Sequence, residues 1–112
     1  MSCIFCMIVE GKIPSKKAYE DDKILAFYDI APQAPVHILV IPKAHIACVD
    51  EICEANADVV AYIFTKIPAI AKAAGITGGY RVVSNCGADA CQSVHHLHFH
   101  ILGGAQLSGE MA

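Results

Sequence analysis

The sequence predicts an α+β domain in which an antiparallel sheet of about five strands packs against one long helix. Three observations carry this prediction. Residues 96–102 alternate between polar and apolar side chains, several short apolar runs are separated by Gly- and Pro-containing turns, and apolar residues recur three or four positions apart across residues 50–74. The chain has 112 residues, of which 55% are hydrophobic and 17% are charged. This length and balance indicate a single folded domain over residues 1–112.

The first two predicted strands precede a proline-rich turn. A short strand is expected near Lys17–Glu20, and a longer one over Ile24–Ile30. In the longer strand, Leu25, Phe27 and Asp29 share one face because successive side chains point to opposite faces. The next strand is expected over residues 36–41, after the turn that contains two prolines.

One long helix is predicted over residues 50–74. Its expected N-terminal end carries acidic side chains and its C-terminal end carries lysines, which suits the helix dipole (Asp50, Glu51 and Glu54; Lys66 and Lys72). Pro68 predicts a kink or break inside the helix, because proline lacks the backbone N–H and its ring collides with the preceding turn. Gly75 is expected to stop it.

Two further strands are predicted in the last third of the chain. Tyr80–Asn85 is expected to be a strand, followed by a loop of small residues over 86–93. His96–Leu102 is expected to be the last strand, ended by a glycine pair.

The histidine-rich strand carries the clearest functional signal. His96, His98 and His100 should share one face, with Leu97, Phe99 and Ile101 towards the core. At ~3.3 Å per residue the first and last of these histidines lie roughly 13 Å apart, so one metal ion cannot bind all three. Imidazoles are nucleophiles and proton carriers at neutral pH, so the row suits phosphate chemistry. The alternative is a solvated polar face, which three histidines in strict alternation make the weaker interpretation.

This motif, with its surroundings, resembles the histidine triad (HIT) superfamily. His96-Leu97-His98-Phe99-His100-Ile101-Leu102 matches the signature in which three histidines alternate with apolar residues. Residues 4–5, 20–22, 26–37, 40–46 and 92–94 match the family in order and spacing. The closest match is the branch of nucleotide-binding proteins that hydrolyse purine nucleoside phosphoramidates. The resemblance implies the HIT-like fold and a homodimer whose two sheets join into one.

The resemblance also assigns catalytic roles. His98 matches the histidine that attacks the α-phosphate and carries a covalent nucleotidyl group. His100 matches a phosphate contact, and His37 matches a further histidine that holds or neutralises phosphate oxygens. His96 matches the first triad position, whose backbone carbonyl lies near the nucleophile and fixes its tautomer. Ser93 matches a hydrogen-bonding residue near the scissile bond.

The nucleotide-binding residues are assigned by the same resemblance. Asn85 should support the phosphate, and Asp29 should accept hydrogen bonds from the ribose hydroxyls. An apolar slot for the purine is implied by five residues, Ile4, Phe5, Ile8, Phe27 and Ile30. From the residues alone, Phe27 and Ile30 fit a plain core and Asp29 fits a turn cap. Cys91 stands where the branch usually has a phosphate-contacting glycine, and residues 105–112 lack the Trp-Pro-rich end of some members.

A metal site is the second functional expectation. Cys3 and Cys6 have the spacing of metal ligands, but a lone pair of this kind needs two more. In many bacterial-type HIT proteins this pair binds zinc with the residues that match His45 and His96. The resemblance therefore implies one structural zinc per chain in a closed Cys₂His₂ site. A redox-active dithiol is the competing interpretation.

Composition limits the partners and the rival functions. A net charge of −3 with only 8 Lys and Arg residues lacks the basic surface that nucleic acid requires. No apolar run is long enough to span a membrane, and the N-terminus lacks the pattern of a secretory signal, so we expect a cytoplasmic protein. A purine nucleotide is the expected ligand. The rivals to phosphoramidate hydrolysis are hydrolysis of dinucleoside polyphosphates, and a nucleotide-binding or protein-interaction module with weak activity.

Overall fold

A five-stranded antiparallel sheet forms the centre of the fold, with the strand order β1-β2-β3-β5-β4. The computed structural model describes residues 3–111, so Met1, Ser2 and Ala112, the ends of the predicted domain, lie outside the described residues. The strands, in chain order, are β1 (Lys17–Glu20), β2 (Ile24–Tyr28), β3 (Val36–Pro42), β4 (Tyr80–Val83) and β5 (Phe99–Gly103). The helices are α1 (Ile4–Val9) and α2 (Ala57–Ala73), and short 3₁₀ turns occupy Val49–Glu51 and Ala88–Ala90. None of the helices described is long and apolar enough to cross a bilayer.

The two faces of the sheet bury two separate apolar clusters. Alternate residues of β2, β3 and β5 pack with α2 on one face, among them Ile24, Ile38 and Ile101. The intervening residues of β2 and β3, such as Leu25 and Leu39, pack with α1 on the other face. Because both faces of the central strands are covered, these strands are apolar along nearly their whole length. The predicted α+β class, with about five antiparallel strands and one long helix, is confirmed.

The main helix differs from the prediction at its start and at Pro68. It begins at Ala57, not at residue 50, because the side chain of Asn56 bonds the chain that precedes it: Oδ1 accepts from the backbone N–H of Cys53 at 2.8 Å and Nδ2 donates to the carbonyl of Glu51 at 3.0 Å. The predicted acidic end therefore precedes the helix, and only Asp58 lies in its first turn. The helix runs without a break through Pro68. Phe64 and Pro68 both lie on its exposed side, so water can bind the carbonyl that the proline leaves unpaired.

The last strand begins three residues later than predicted. Its pairing with β3 ends at Val40 opposite Phe99. If the same register continued, Leu97 would lie opposite Pro42, two residues further along. Pro42 has no N–H to donate, so the ladder cannot continue there. The N–H of Leu97 donates instead to the carbonyl of Ile46. Alternation nevertheless persists, since Leu97 joins the α2-side cluster while the rings of His96 and His98 lie against Phe5 on the α1 side.

Candidate functional site

His98 is buried on the α1 side of the sheet, and its ring is held in one tautomer. Its Nδ1 lies 2.7 Å from the backbone carbonyl oxygen of His96. A carbonyl only accepts, so Nδ1 carries the proton and donates. The other ring nitrogen, Nε2, then keeps a free lone pair. The hydroxyl of Ser84 donates to the carbonyl of His98 at 2.9 Å and fixes its backbone. His98 therefore presents an unprotonated nitrogen, as a nucleophile requires.

A chain of hydrogen bonds orients the two neighbouring histidines. The backbone N–H of Gln33 donates to Nδ1 of His37 at 3.0 Å, so the ring proton of neutral His37 lies on Nε2. That nitrogen lies 2.8 Å from Nδ1 of His100 and donates to it. The proton of neutral His100 is thereby placed on its own Nε2. One backbone amide in the proline-rich turn thus decides which nitrogen of His100 is a donor.

Both of these imidazoles are held neutral at physiological pH. Burial lowers the pKa of His37, and the negative charge of Asp29 opposes this only in part. Burial also lowers the pKa of His100 to about 4, with further lowering by the charges of His98 and His37 and an opposing contribution from Asp29. An N–H of neutral His100 can hydrogen-bond a phosphate oxygen without placing a permanent charge in the site.

Asp29 lies just beyond the end of β2, beside these histidines. Its Oδ1 accepts from the backbone N–H of Ala31 at 2.8 Å, and its Oδ2 lies 3.4 Å from Nε2 of His37. The turn-capping role that the residue type allowed is therefore present. The same carboxylate borders both cavities described next, so capping leaves it available to a ligand.

Two adjoining cavities share four of the predicted site residues. A polar cavity of about 470 Å³ includes His37, Asn85 and Cys91 in its lining. An apolar cavity of about 550 Å³ is bordered by Ile4, Phe5, Ile8, Phe27 and Ile30. Four residues line both cavities, namely Asp29, Ser93, His98 and His100. The pair therefore offers a flat apolar slot next to a group of hydrogen-bonding side chains, with Asp29 where they meet.

The slot residues differ in how much they also serve the core. Phe27 is buried in the α1-side cluster, and its ring meets that of Phe5 edge-on at 5.4 Å. Ile30 is fully exposed at 102% of its reference area, so it is not a core residue. For Phe27 the core interpretation holds together with a cavity position, and for Ile30 only the cavity position remains.

The loop after β4 forms one wall of the polar cavity. Nδ2 of Asn85 donates to the carbonyl of Ala90 at 2.7 Å and closes the loop on itself. Cys91 adopts the left-handed conformation, at φ 60°, which explains why glycine suits this position. Its N–H donates to the carbonyl of Ala88 at 3.0 Å, so this amide is engaged within the turn. Cys91 is exposed, and its Cβ has room at the cavity wall.

Four donor atoms converge next to the backbone that holds His98, from Cys3, Cys6, His45 and His96. Zinc bonds of about 2.0–2.1 Å to nitrogen and about 2.3 Å to sulfur, at tetrahedral angles, place two nitrogens about 3.3 Å apart and nitrogen and sulfur about 3.6 Å apart. The two Nδ1 atoms here are 3.2 Å apart, and the sulfur–nitrogen distances are 3.3–3.5 Å. The spacing therefore fits a tetrahedral metal ion.

Protonation states agree with a metal centre. Nε2 of His96 lies 2.8 Å from the carbonyl oxygen of Pro42 and donates to it, so Nδ1 turns a lone pair towards the cluster. Burial, with the neighbouring Cys3 thiol and nearby negative charge, raises the pKa of Cys6 to about 11. A bound cation would remove that proton and neutralise the crowded donors.

His96 connects the two sites. Its ring nitrogen belongs to the metal-binding group, while its carbonyl oxygen holds Nδ1 of His98. His98 and His100 take no part in that group, so the three histidines divide between two sites.

The profile of the HIT domain family matches residues 10–107. The chain belongs to the HIT family. Among its HIT relatives, a protein from Zea mays named 14 kDa zinc-binding protein is 45% identical over 107 residues, covering 94% of this chain and 84% of that protein. Adenylylsulfatase HINT1 from Arabidopsis thaliana is 42% identical over 107 residues, covering 94% of this chain and 73% of the relative. The crystal structure of a HIT family hydrolase from Legionella pneumophila Philadelphia 1 superimposes with a TM-score of 0.95 at 41% identity, covering 99% and 100% of the two chains.

The structure brings the residues that the HIT signature marks into these two adjoining cavities and the metal-binding group. Sequence reasoning missed Gln33, which acts through its backbone N–H and therefore leaves no trace in residue type. It also missed Gln92, whose side chain accepts from the N–H of Gly87 and donates to the carbonyls of Ala47 and Val94. The signal available in the sequence was the polar side chain of Gln92, near the end of the small-residue loop and shortly before the histidine motif.

Proposed function

We propose that this HIT protein is a nucleotide hydrolase that cleaves purine nucleoside phosphoramidates through a nucleotidyl-His98 intermediate. The observation that carries the proposal is the bond between Nδ1 of His98 and the carbonyl of His96, which leaves Nε2 free to attack. The Legionella relative is named a hydrolase, and we propose hydrolase activity for this chain as well.

The two cavities suit the parts of one nucleotide. In our proposal the purine occupies the apolar cavity between Phe5 and Ile30, and Asp29 accepts from the ribose hydroxyls. The α-phosphate lies in the polar cavity against His98. His100 donates from Nε2 to a phosphate oxygen, since its Nδ1 is already occupied by His37.

The proposed reaction has two steps. Nε2 of His98 attacks the α-phosphorus, a nitrogen–phosphorus bond forms, and the bond to the leaving amine breaks. The amine takes up a proton from solvent water, and Ser93, which borders both cavities, is placed to hydrogen-bond it. A second water then attacks the phosphorus of nucleotidyl-His98 and gives up its proton to solvent, and the phosphorus–nitrogen bond breaks, releasing the nucleoside monophosphate and the free imidazole.

The decisive experiment compares His98→Ala with His95→Ala. His95 is an exposed neighbour that borders neither cavity, so it is a matched histidine control. We expect His98→Ala to abolish turnover of an adenosine phosphoramidate while AMP binding, measured by calorimetry, is largely kept. Quenched wild-type protein should show the mass of a nucleotidyl adduct that His98→Ala lacks. Unchanged turnover in His98→Ala would refute the mechanism.

The leaving group decides between closely related substrates. A relative that is 42% identical carries the name adenylylsulfatase, so adenylyl sulfate belongs beside phosphoramidates and diadenosine polyphosphates in a substrate panel. All three present an α-phosphate with a different leaving group to His98. The highest kcat/KM identifies the preferred class. Nucleotide binding with hydrolysis of none of them would favour a binding module instead.

We also propose that Cys3, Cys6, His45 and His96 hold one structural zinc ion per chain. The distances among their donor atoms support a closed tetrahedral site, and two relatives are named zinc-binding proteins. When bound, the ion would tie α1 to the segment before β5. A redox-active dithiol of Cys3 and Cys6 does not require two imidazoles to converge on the sulfurs. Metal analysis of Cys6→Ser should show about one zinc fewer per chain than the wild type.

A homodimer through the β4 edge is the remaining proposal. β4 is an edge strand with an exposed Tyr80, and the exposed Phe64 of α2 packs edge-on against Phe99 at 5.1 Å. Pairing of two β4 strands would continue the sheet and cover these aromatic rings. Sedimentation should give a dimer for the wild type and a monomer for Phe64→Asp. A monomeric wild type would contradict the proposal.

A further inference from the structure

A second group of metal-binding side chains lies away from the proposed zinc site and shares no residue with it. The Sγ atoms of Cys48 and Cys86 and a carboxylate oxygen of Asp50 all lie within 4.8 Å of one another. Both cysteines are free and partly buried, and Asp50 is exposed. We propose that Cys48, Asp50 and Cys86 form a second metal site that takes a thiophilic divalent cation of the Zn²⁺ class. The inference is independent of the proposed hydrolase activity.

The backbone holds these ligands together without help from a metal. Cys48 directly precedes the 3₁₀ turn Val49–Glu51, and its carbonyl accepts from the N–H of Glu51 at 3.0 Å. Cys86 comes from the loop after β4, and its sulfur lies within 4.8 Å of the ligand atoms of Cys48 and Asp50. Two ligands thus come from one tight turn and the third from a loop docked against it.

The acidic member of the group has no cationic partner among the described residues. None of the salt bridges found within residues 3–111 involves Asp50. A divalent cation would bind this carboxylate together with the two sulfurs, which release their protons on binding.

The donor set selects the class of metal. Two sulfurs exclude Mg²⁺ and Ca²⁺, which prefer oxygen ligands, and favour Zn²⁺ and its soft analogue Cd²⁺. Three protein ligands leave a coordination position for water, and the exposed carboxylate leaves a route of entry. We therefore expect a weaker, more exchangeable site than a closed Cys₂His₂ centre.

The alternative use of the same pair is a redox disulfide. Asp50 has no part in a disulfide, whereas its carboxylate supplies a third ligand to a metal ion. The third ligand is the feature that separates the two interpretations, and it favours metal.

Titration with Cd²⁺ tests the site, since each cadmium–thiolate bond absorbs in the near ultraviolet. Reduced, metal-free wild-type protein should bind about one equivalent more than Cys48→Ser/Cys86→Ser, and the additional equivalent should carry the absorbance of two thiolates. This difference holds whether or not the proposed zinc site binds. Asp50→Asn should keep the two-thiolate signal but weaken that equivalent by roughly tenfold or more, because even outer-shell partners of a metal contribute 10–100-fold.

Cys53→Ser is the matched control, because Cys53 is exposed and belongs to neither group. It should bind as many equivalents as the wild type. Should the serine pair fail to fold, Asp50→Asn alone still decides, by the affinity of the last equivalent. The proposal is overturned if the wild type and the serine pair bind equal amounts of Cd²⁺, or if Asp50→Asn binds every equivalent as tightly as the wild type. Quantitative Cys48–Cys86 disulfide in air, with no additional equivalent in reduced protein, would also overturn it.

Discussion

Nε2 of His37 donates to Nδ1 of His100 at 2.8 Å, and His37 is buried while His100 is half-buried. The direction of this bond is set two steps away, by the backbone N–H of Gln33 on the other nitrogen of His37. A second proton on either ring would disrupt the chain, because His37 would lose its acceptor for Gln33 or His100 its acceptor for His37. The site is thus built for two neutral imidazoles in fixed tautomers.

The first prediction is that acid destabilises the free protein in the range where these rings would take up protons. The folded protein holds the pKa of His100 at about 4, below the value of 6.5 that histidine has when exposed. Between these values the unfolded chain binds more protons, so the free energy of unfolding falls as the pH drops from about 6.5 to about 4. Each such group contributes at most about 1.4 kcal/mol per pH unit.

Urea unfolding at pH 7, 6 and 5 measures this slope. His100→Asn should flatten it relative to the wild type, since the titrating group is gone. His95→Asn serves as control, because His95 is exposed, and it should keep the wild-type slope. An unchanged slope in His100→Asn would show that other groups dominate the acid response.

The second prediction concerns a carboxylate that ties α2 to the hairpin of β1 and β2. Oδ2 of Asp21 accepts from the hydroxyls of Tyr62 at 2.5 Å and Tyr19 at 2.8 Å, and Oδ1 accepts from the N–H groups of Lys23 and Ile24. Burial raises the pKa of Asp21, but these donors outweigh it and hold the pKa well below its usual range. Asp21→Asn replaces one acceptor with an NH₂ group and should cost about 1 to 2 kcal/mol of unfolding free energy.

The neighbouring Asp22 offers a matched control for this substitution. It is exposed and lies next to Asp21 in the chain, so Asp22→Asn should change the unfolding free energy by less than about 0.5 kcal/mol. Because the network lies outside both cavities that His98 borders, kcat/KM for the proposed reaction should stay at the wild-type value in both variants. Equal stability of the two variants would show that hydrogen bonds from the tyrosine hydroxyls to water stabilise the fold as much as those to Asp21.

The third prediction rests on the glycine pair that ends β5. Gly104 has φ +91°, and a Cβ there would lie 3.1 Å from Cβ of Pro35 and 3.2 Å from Cγ2 of Val36. Gly104→Ala should therefore lower the unfolding free energy by about 1 to 2 kcal/mol, from backbone strain together with crowding. Gly78→Ala is the control, since its Cβ would have nothing within 4 Å and its φ lies outside the left-handed region. Thermal melts of both variants compare them directly, and a Gly104→Ala melt equal to that of Gly78→Ala would contradict the argument.

The sequence prediction succeeded where it depended on the alternation of side chains along a strand. Alternation placed His37 and His100 on the face opposite α2, and antiparallel pairing then brought them within hydrogen-bonding reach. Prediction failed where a single side chain or a missing N–H ended an element, as Asn56 does before α2 and Pro42 does before β5. Pro68 lies inside the unbroken helix, on its exposed side, where water can bind the carbonyl that has no N–H partner. The tautomers of His37, His98 and His100 depend on a backbone amide and a carbonyl, which no residue pattern encodes.

The last prediction is that metal loss and loss of Cys6 have the same effect. A ligand present at 100 times its Kd adds about 2.7 kcal/mol to the unfolding free energy, so chelation should lower the Tm of the wild type by the corresponding amount. Cys6→Ser should melt at the chelated wild-type temperature, and chelator should lower its Tm no further. Making both measurements in the Cys48→Ser/Cys86→Ser background removes any contribution from the second site.

Because His96 also holds His98 through its carbonyl, kcat should fall with the Tm and return when zinc is restored to the wild type but not to Cys6→Ser. A Tm that chelator leaves unchanged would exclude a structural metal at Cys3, Cys6, His45 and His96. Hydrogen bonds between these side chains would then have to explain the short distances between their donor atoms.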